Sequence, residues 1–227
     1  MMLAASVLVA GCSQQPVGQT GAGELTPITP SRPAGATATT GQTSSTPPTS
    51  AVLAPSGDAA VADVIAWVQA GPPVDGADFR VALRNGTTTD LGDDTAFTTA
   101  SGISCMTETK RVAGGLACLV NLADPPPQPP DVYGVWKGGW VDFNAAGVQV
   151  GSAHGDPGRF SAGQGPPLPA GGSLSFGDFR CRADNTALVC VNYANQTAVR
   201  YSDDGIDTYG CARRDPPQSG IGIQYAC

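Results

Sequence analysis

From residue 58 onward apolar residues recur with two different periods, and the change of period divides the chain into elements. Val61, Val64, Ile65 and Val68 fall at i, i+3, i+4 and i+7, the spacing of one helix face. Trp67 widens that stripe beside Ala60; Ser56 or Asp58 offers an N-cap, and Gly71 before Pro72-Pro73 offers a stop. Beyond it period two takes over. Residues 80–84 alternate, Asn85-Gly86 is a strong hairpin signal, and residues 87–91 can return. A helix running on through 79–83 is the competing assignment. Residues 139–143, 147–151, 173–179, 187–193 and 198–201 form short β-type runs punctuated by Gly, Pro, Asp and Asn. Pro125-Pro126-Pro127-Gln128-Pro129-Pro130 reads as a polyproline-like connection, because proline has no N–H to give a ladder. The pattern predicts one mainly β domain over residues 58–227, a small sandwich or barrel with a single amphipathic helix near its start.

Residues 13–57 break from both periods. They hold 9 Thr, 6 Ser, 7 Pro and 6 Gly among 45 residues, with Glu24 and Arg32 as their only charges and no aromatic residue. A segment so poor in large apolar groups cannot offset the entropy of ordering its backbone, so a disordered linker is expected. As a flexible tether it would span roughly 35–40 Å. Thr-Pro clusters such as Thr46-Pro47-Pro48-Thr49 could also carry O-linked sugars.

The first twelve residues are a short apolar run ending Val9-Ala10-Gly11-Cys12. Small residues leading to a cysteine resemble a bacterial lipobox, which implies that the Cys12 thiol takes a thioether-linked lipid and becomes the first mature residue, its small neighbours letting the backbone enter the signal peptidase. Residues 1–12 are therefore expected to be a lipoprotein signal and Cys12 the lipidated residue. No Lys or Arg precedes Cys12, which points to a basic residue upstream of Met1. An anchored chain of this kind belongs on the outer face of the cytoplasmic membrane, in the cell envelope.

That compartment oxidises thiols, and six cysteines remain: Cys105, Cys118, Cys181, Cys190, Cys211 and Cys227. Six allow fifteen pairings, but spacing favours one. A two-residue loop at Asn185-Thr186 sets Asp184 opposite Ala187 and hence Cys181 opposite Cys190, at the Cβ separation a disulfide needs. Cys105 and Cys118 flank a longer hairpin of similar layout, a weak internal duplication, and Cys211 with Cys227 follows by elimination. Zinc is the rival reading. It lacks support, since there is no Cys-x-x-Cys and only one His. Neither a metal nor a cofactor is called for.

Charge narrows the partners. Charged residues are 14% of the chain and the net charge is −7, so the basic footprint of a nucleic-acid binder is missing. His154 is the one side chain whose ordinary pKa suits base catalysis near neutrality. Asp156 and Ser152 lie close by, yet Gly155-Asp156-Pro157-Gly158 also has turn chemistry. Trp136 and Trp140, with Tyr133, could form a platform for a sugar ring; alternation also puts both tryptophans on one strand face, as core packing requires. Asp93-Asp94 and Asp203-Asp204 lack the alternating ligands of a calcium loop and read as turns.

Several of these segments together resemble a family. The run 97–105 ending in Cys105, with Cys118 returning, is similar to a cysteine-hairpin motif of secreted actinobacterial proteins. Residues 136–143, 154–160 and 176–181, with Cys190-Val191-Asn192-Tyr193, resemble LppI-type lipoproteins of mycobacteria. The resemblance covers residues 58–227 and the lipobox. It implies an exported envelope lipoprotein and carries over no activity, ligand or catalytic residue. The leading expectation is a non-enzymatic, lipid-anchored protein that binds or scaffolds. The alternatives are an envelope hydrolase using His154 with Asp156, and a glycan- or lipid-binding module using Trp136 and Trp140.

Overall fold

The computed structural model describes residues 53–110, 114–153 and 158–227. Cys12, His154 and Asp156, and the linker up to residue 52, lie outside the described residues. In chain order the elements are helix α1 (Val61–Gln69), strands β1 (Val81–Arg84), β2 (Thr87–Asp90), β3 (Ala96–Thr98), β4 (Ser104–Thr107), β5 (Leu116–Leu119), β6 (Trp136–Asn144), β7 (Gly147–Ala153), β8 (Ser173–Phe176), β9 (Phe179–Ala183), β10 (Leu188–Asn192), β11 (Thr197–Ser202), β12 (Gly205–Tyr209), β13 (Arg213–Asp215) and β14 (Ile221–Ala226). Short 3-10 turns sit at Gly76–Phe79 and Gly158–Ala162. The chain is mainly β, as its periodicity predicts.

Strands β3 to β7 form an antiparallel meander; the chain then leaves to build a second meander, β8 to β12, and returns to add β14 beside β7 with β13 outermost. The result is a seven-stranded sheet and a five-stranded sheet, plus the separate β1–β2 hairpin. The two large sheets keep their own edges and pack face to face, which makes a sandwich and not a closed barrel. Their shared core holds Phe97, Val141, Phe143, Val148 and Val150 from one sheet and Leu174, Phe179, Leu188, Val199 and Tyr201 from the other. Phe143 meets Phe179 edge-on, ring centroids 5.3 Å apart, the arrangement ring quadrupoles favour.

Each sheet also has its outer face covered. Residues 188–192 are buried throughout, because α1 packs Val64, Trp67 and Val68 onto Val189, Val191, Ala198 and Tyr209. This explains why that strand reads as a continuous apolar run and not as an alternation. On the far side, Ala82 of the hairpin and Phe160 of the second 3-10 turn close over Met106, Ala117 and Trp140.

The Asn85-Gly86 turn behaves as expected: both residues take positive φ, 51° and 80°, and β1 pairs with β2 through Leu83↔Thr88 and Arg84↔Thr87. The alternative helix over 79–83 does not form. The helix caps depart from expectation. The N-cap residue is Ala60, with no side-chain cap; the Ser56 hydroxyl instead donates to Asp58 at 2.6 Å. At the other end the freed carbonyls are taken by two arginines of β9. Arg182 Nη1 donates to Trp67 O at 2.6 Å, and Arg180 Nη2 donates to Gln69 O and Gly71 O. Arg182 also lies 4.2 Å from the Trp67 ring centroid, so a cation both caps the helix and packs on it.

All three expected disulfides are present: Cys105–Cys118, Cys181–Cys190 and Cys211–Cys227. The first two join residues directly opposite each other, Cys105↔Cys118 and Cys181↔Cys190. Both are wholly buried in the shared core, whereas Cys211 and Cys227 are exposed. Under native conditions a reductant should therefore open Cys211–Cys227 first, with the other two protected until the sandwich unfolds. Mass increments with peptide mapping measure the order, and early labelling of Cys181 or Cys105 would contradict it.

The turn closing β9 and β10 is organised by Asp184. Its Oδ1 accepts from Thr186 N, Thr186 Oγ1 and Ala187 N, and its Oδ2 accepts from Ala54 N at 2.7 Å. Tyr209 Oη donates to Pro55 O and Ser56 O, so the chain is fastened to the sandwich from Ala54. Burial alone would raise the Asp184 pKa; the hydrogen bonds donated to it outweigh burial and hold it below the ordinary carboxylate value. A carboxyl depressed in the native state contributes stability that is complete above its unfolded-state pKa of about 4 and is lost as pH falls through the folded value. Asp184→Asn should lower the urea midpoint at neutral pH and flatten its fall below about pH 4. An unchanged acid limb would show that other groups carry it.

Candidate functional site

The sequence's aromatic candidates lie at the end of the β5–β6 connection, Tyr133, and in β6 itself, Trp136 and Trp140, and the structure separates them. Trp140 is 1% exposed. Its ring meets Phe160 in a T-shape at 5.5 Å, its Nε1 donates to Asp142 Oδ2 at 2.8 Å, and Lys137 Nζ lies 5.6 Å from its centroid. Trp140 is a core residue and offers no sugar platform. Trp136 is half-buried and donates from Nε1 to Pro126 O at 2.9 Å. Tyr133 is 91% exposed and Val135 is also exposed. Simple alternation does not relate the two tryptophans, since the β6–β7 register shifts between Lys137 and Val141, at Gly138-Gly139. A bulge there turns the strand.

Trp136 and Pro126 lie flat on the sheet because two positions beneath them lack a side chain. A Cβ on Gly151 would come within 2.7 Å of the Trp136 ring and 2.8 Å of Pro126 Cγ, and one on Gly222 within 2.7 Å of Pro126 Cβ. The rest of the loop is pinned by Gln128 Nε2 to Val132 O, Val132 N to Pro129 O, and Ser219 Oγ to Asp131 Oδ2. Between this proline run and the β13–β14 turn lies a groove of about 510 Å³, walled by Pro127 to Asp131 and Pro217 to Gly222. Prolines supply carbonyl acceptors without competing N–H donors. Tyr133 stands clear of the surface beside this loop.

A second cluster lies under the outer face of the seven-stranded sheet. Arg159 Nη2 is 3.2 Å from Asp142 Oδ1, and its Nε is 3.8 Å from Glu108 Oε2. The Arg159 side chain is 9% exposed. Asp142 thereby joins Trp140 to Arg159, and the pairing Asp142↔Gln149↔Gln224↔Asp215 extends a polar row across four strands. No His, Cys, Asp or Glu group among the described residues has the makings of a metal site. Asp93-Asp94 is a turn in which Asp94 Oδ1 accepts from Thr107 Oγ1 and Thr109 N. Asp203-Asp204 forms the β11–β12 turn.

No protein family, characterised protein or solved structure matches this chain. The site must be judged on its own geometry. Sequence spacing missed the Asp142–Arg159 pair because its members lie 17 positions apart on separate elements, and missed the groove because β13 and β14 show no clean period. The structure makes opposite claims for the two aromatic positions. Trp140→Ala should cost about 3–5 kcal/mol by cavity formation and an abandoned Asp142. Tyr133→Ala should change stability by less than about 0.5 kcal/mol. Urea unfolding of both variants measures this, and a tolerated Trp140→Ala would reopen that residue as a surface binder.

Proposed function

We propose that this chain is a lipid-anchored protein of the cell envelope, held to the outer face of the membrane through Cys12, whose β-sandwich serves as a binding or scaffolding module. The observation that carries the reading is the disulfide set. All six cysteines after Cys12 are paired, two pairs of them inside the core. Permanent disulfides accumulate where thiols oxidise and are rare in the cytosol. The Val9-Ala10-Gly11-Cys12 motif and the resemblance to LppI-type lipoproteins support the same location. No helix of the described residues is long and apolar enough to cross a membrane, and a two-chain acyl anchor would do that work. The linker would then carry the sandwich away from the lipid surface, and Ala54, tied to Asp184, is where it meets the folded domain.

Mass spectrometry of the mature N-terminus tests this directly. A diacylglyceryl group on Cys12 is expected, with Cys12→Ala shifting the protein from the membrane fraction to the soluble one. An unmodified Cys12, or a chain found reduced in the cytosol, would end the proposal.

A further inference from the structure

At the end of the sandwich where Ala54 is fastened, four connections from both sheets frame a cleft of about 230 Å³. Its lining is Ser101, Ile103, Val120, Asn121, Asn185, Thr186 and Asp203. Ile103 and Val120 belong to the buried core and make a small apolar floor. Around it stand two side-chain amides, two hydroxyls and one carboxylate. Neither the Asn121 nor the Asn185 amide is used in a hydrogen bond among the described residues, so each presents a donor and an acceptor to an incoming ligand.

The loops that carry these groups are held in place. The Asn185-Thr186 turn hangs on the Asp184 carboxylate, Ala123 N donates to Asp203 O, and Asp204 N donates to Asp203 Oδ1. Gly102 takes φ of 83°, with Asn121 Nδ2 set 3.4 Å from where a Cβ would sit. The Ser101 hydroxyl is paired with Thr99 at 2.9 Å. Ordered loops lose little freedom on binding. The chemistry of the set also selects. A carboxylate with no cation in the lining repels anions, and a floor of two aliphatic residues suits C–H groups and not a charge. Amides and a carboxylate side by side match vicinal hydroxyls, which need a donor and an acceptor at neighbouring atoms. The volume falls below the roughly 300–1,000 Å³ of pockets that enclose drug-sized ligands, so the guest is a single ring.

We infer that this cleft is a binding site for one neutral sugar ring, such as the terminal unit of an envelope glycan. The inference deepens the reading of the domain as an envelope binding module and rests on it for where the ligand is met.

The test is an NMR titration of the oxidised full chain, labelled with nitrogen-15. The probes are methyl hexopyranosides, methyl pentofuranosides, N-acetylhexosamines and, separately, calcium chloride. A sugar should shift the amides of residues 101–103, 120–121, 185–186 and 203–204, and the side-chain amides of Asn121 and Asn185, with millimolar affinity. Asn121→Ala and Asn185→Ala should each weaken binding about tenfold, the loss of one well-placed hydrogen bond. Gln149→Ala, on the outer face of β7, should bind as the parent does, and thermal unfolding of each variant checks the fold. The inference is overturned by no shift with any glycoside, by shifts centred elsewhere, by a response to calcium alone, or by binding as tight as the parent's in the two Asn variants. Sugar shifts without acylation of Cys12 would sink the envelope reading and keep the cleft; acylation without sugar shifts would do the reverse.

Discussion

Two crosslinks buried at the centre of the sandwich, one in each sheet, are the constraint from which the rest follows. Cys105–Cys118 ties β4 to β5, and Cys181–Cys190 ties β9 to β10, each between residues that face each other directly. In a strand pair a slip of one residue would turn every core side chain to the opposite face. A covalent bond between opposed positions forbids that slip. It also closes loops of 13 and 9 residues, worth about 2–3 kcal/mol each by loop entropy. The need is visible in the composition: 30 Gly and 20 Pro with only 6% aromatic residues leave little large apolar surface from which to assemble a core.

With both registers set, each sheet can present its second face to a different cover. The five-stranded sheet receives α1, whose last carbonyls are satisfied by Arg180 and Arg182 projecting from β9. Helix and sheet thus share the same hydrogen bonds, and neither end of α1 relies on a side-chain cap of its own. The seven-stranded sheet receives the β1–β2 hairpin and Phe160 over Trp140. What remains uncovered is the Gln149–Gln224–Asp215 end of the polar row, the proline groove and the loop ends. Those are the surfaces left to solvent, because both sheet interiors and most of both outer faces are consumed by packing.

The sequence was most legible where partners are close in the chain. The Asn85-Gly86 hairpin, the Cys181–Cys190 register and the apolar face of α1 all depend on neighbours within ten residues, and each could be read from spacing. Other parts were not readable in this way. β14 lies between β13 and β7, so one of its partners is some seventy positions away, and its residues are half-buried on both sides. β13, Arg213-Arg214-Asp215, is fully exposed and shows no alternation, which is what a charged edge strand needs to discourage further pairing. The helix ends depart from spacing for a related reason: at the N-terminus Ser56 and Asp58 bond each other and leave Ala60 as an uncapped N-cap, and at the C-terminus the carbonyls are taken by arginines more than a hundred residues distant. Trp136 and Trp140 share a sequence pattern but not a fate, because the glycine bulge between them shifts the register. Asn121, Asn185 and Asp203 come from three separate loops, and no spacing rule can collect them.

The Asp184 turn shows how the frame and the loop end are coupled. One carboxylate receives the turn's own donors and the N–H of Ala54, so the residue that shapes the Asn185-Thr186 corner also fixes where the linker joins. The corner is in turn a direct extension of the Cys181–Cys190 hairpin, four positions from the buried disulfide on either strand. Rigidity is therefore transmitted from the core crosslink to the polar groups at the surface through a single two-residue loop. The loops at this end are thereby ordered by folding. Any ligand that engages them does so without asking the loops to move, and that is the property a small, open cleft needs if it is to hold even a weakly bound guest.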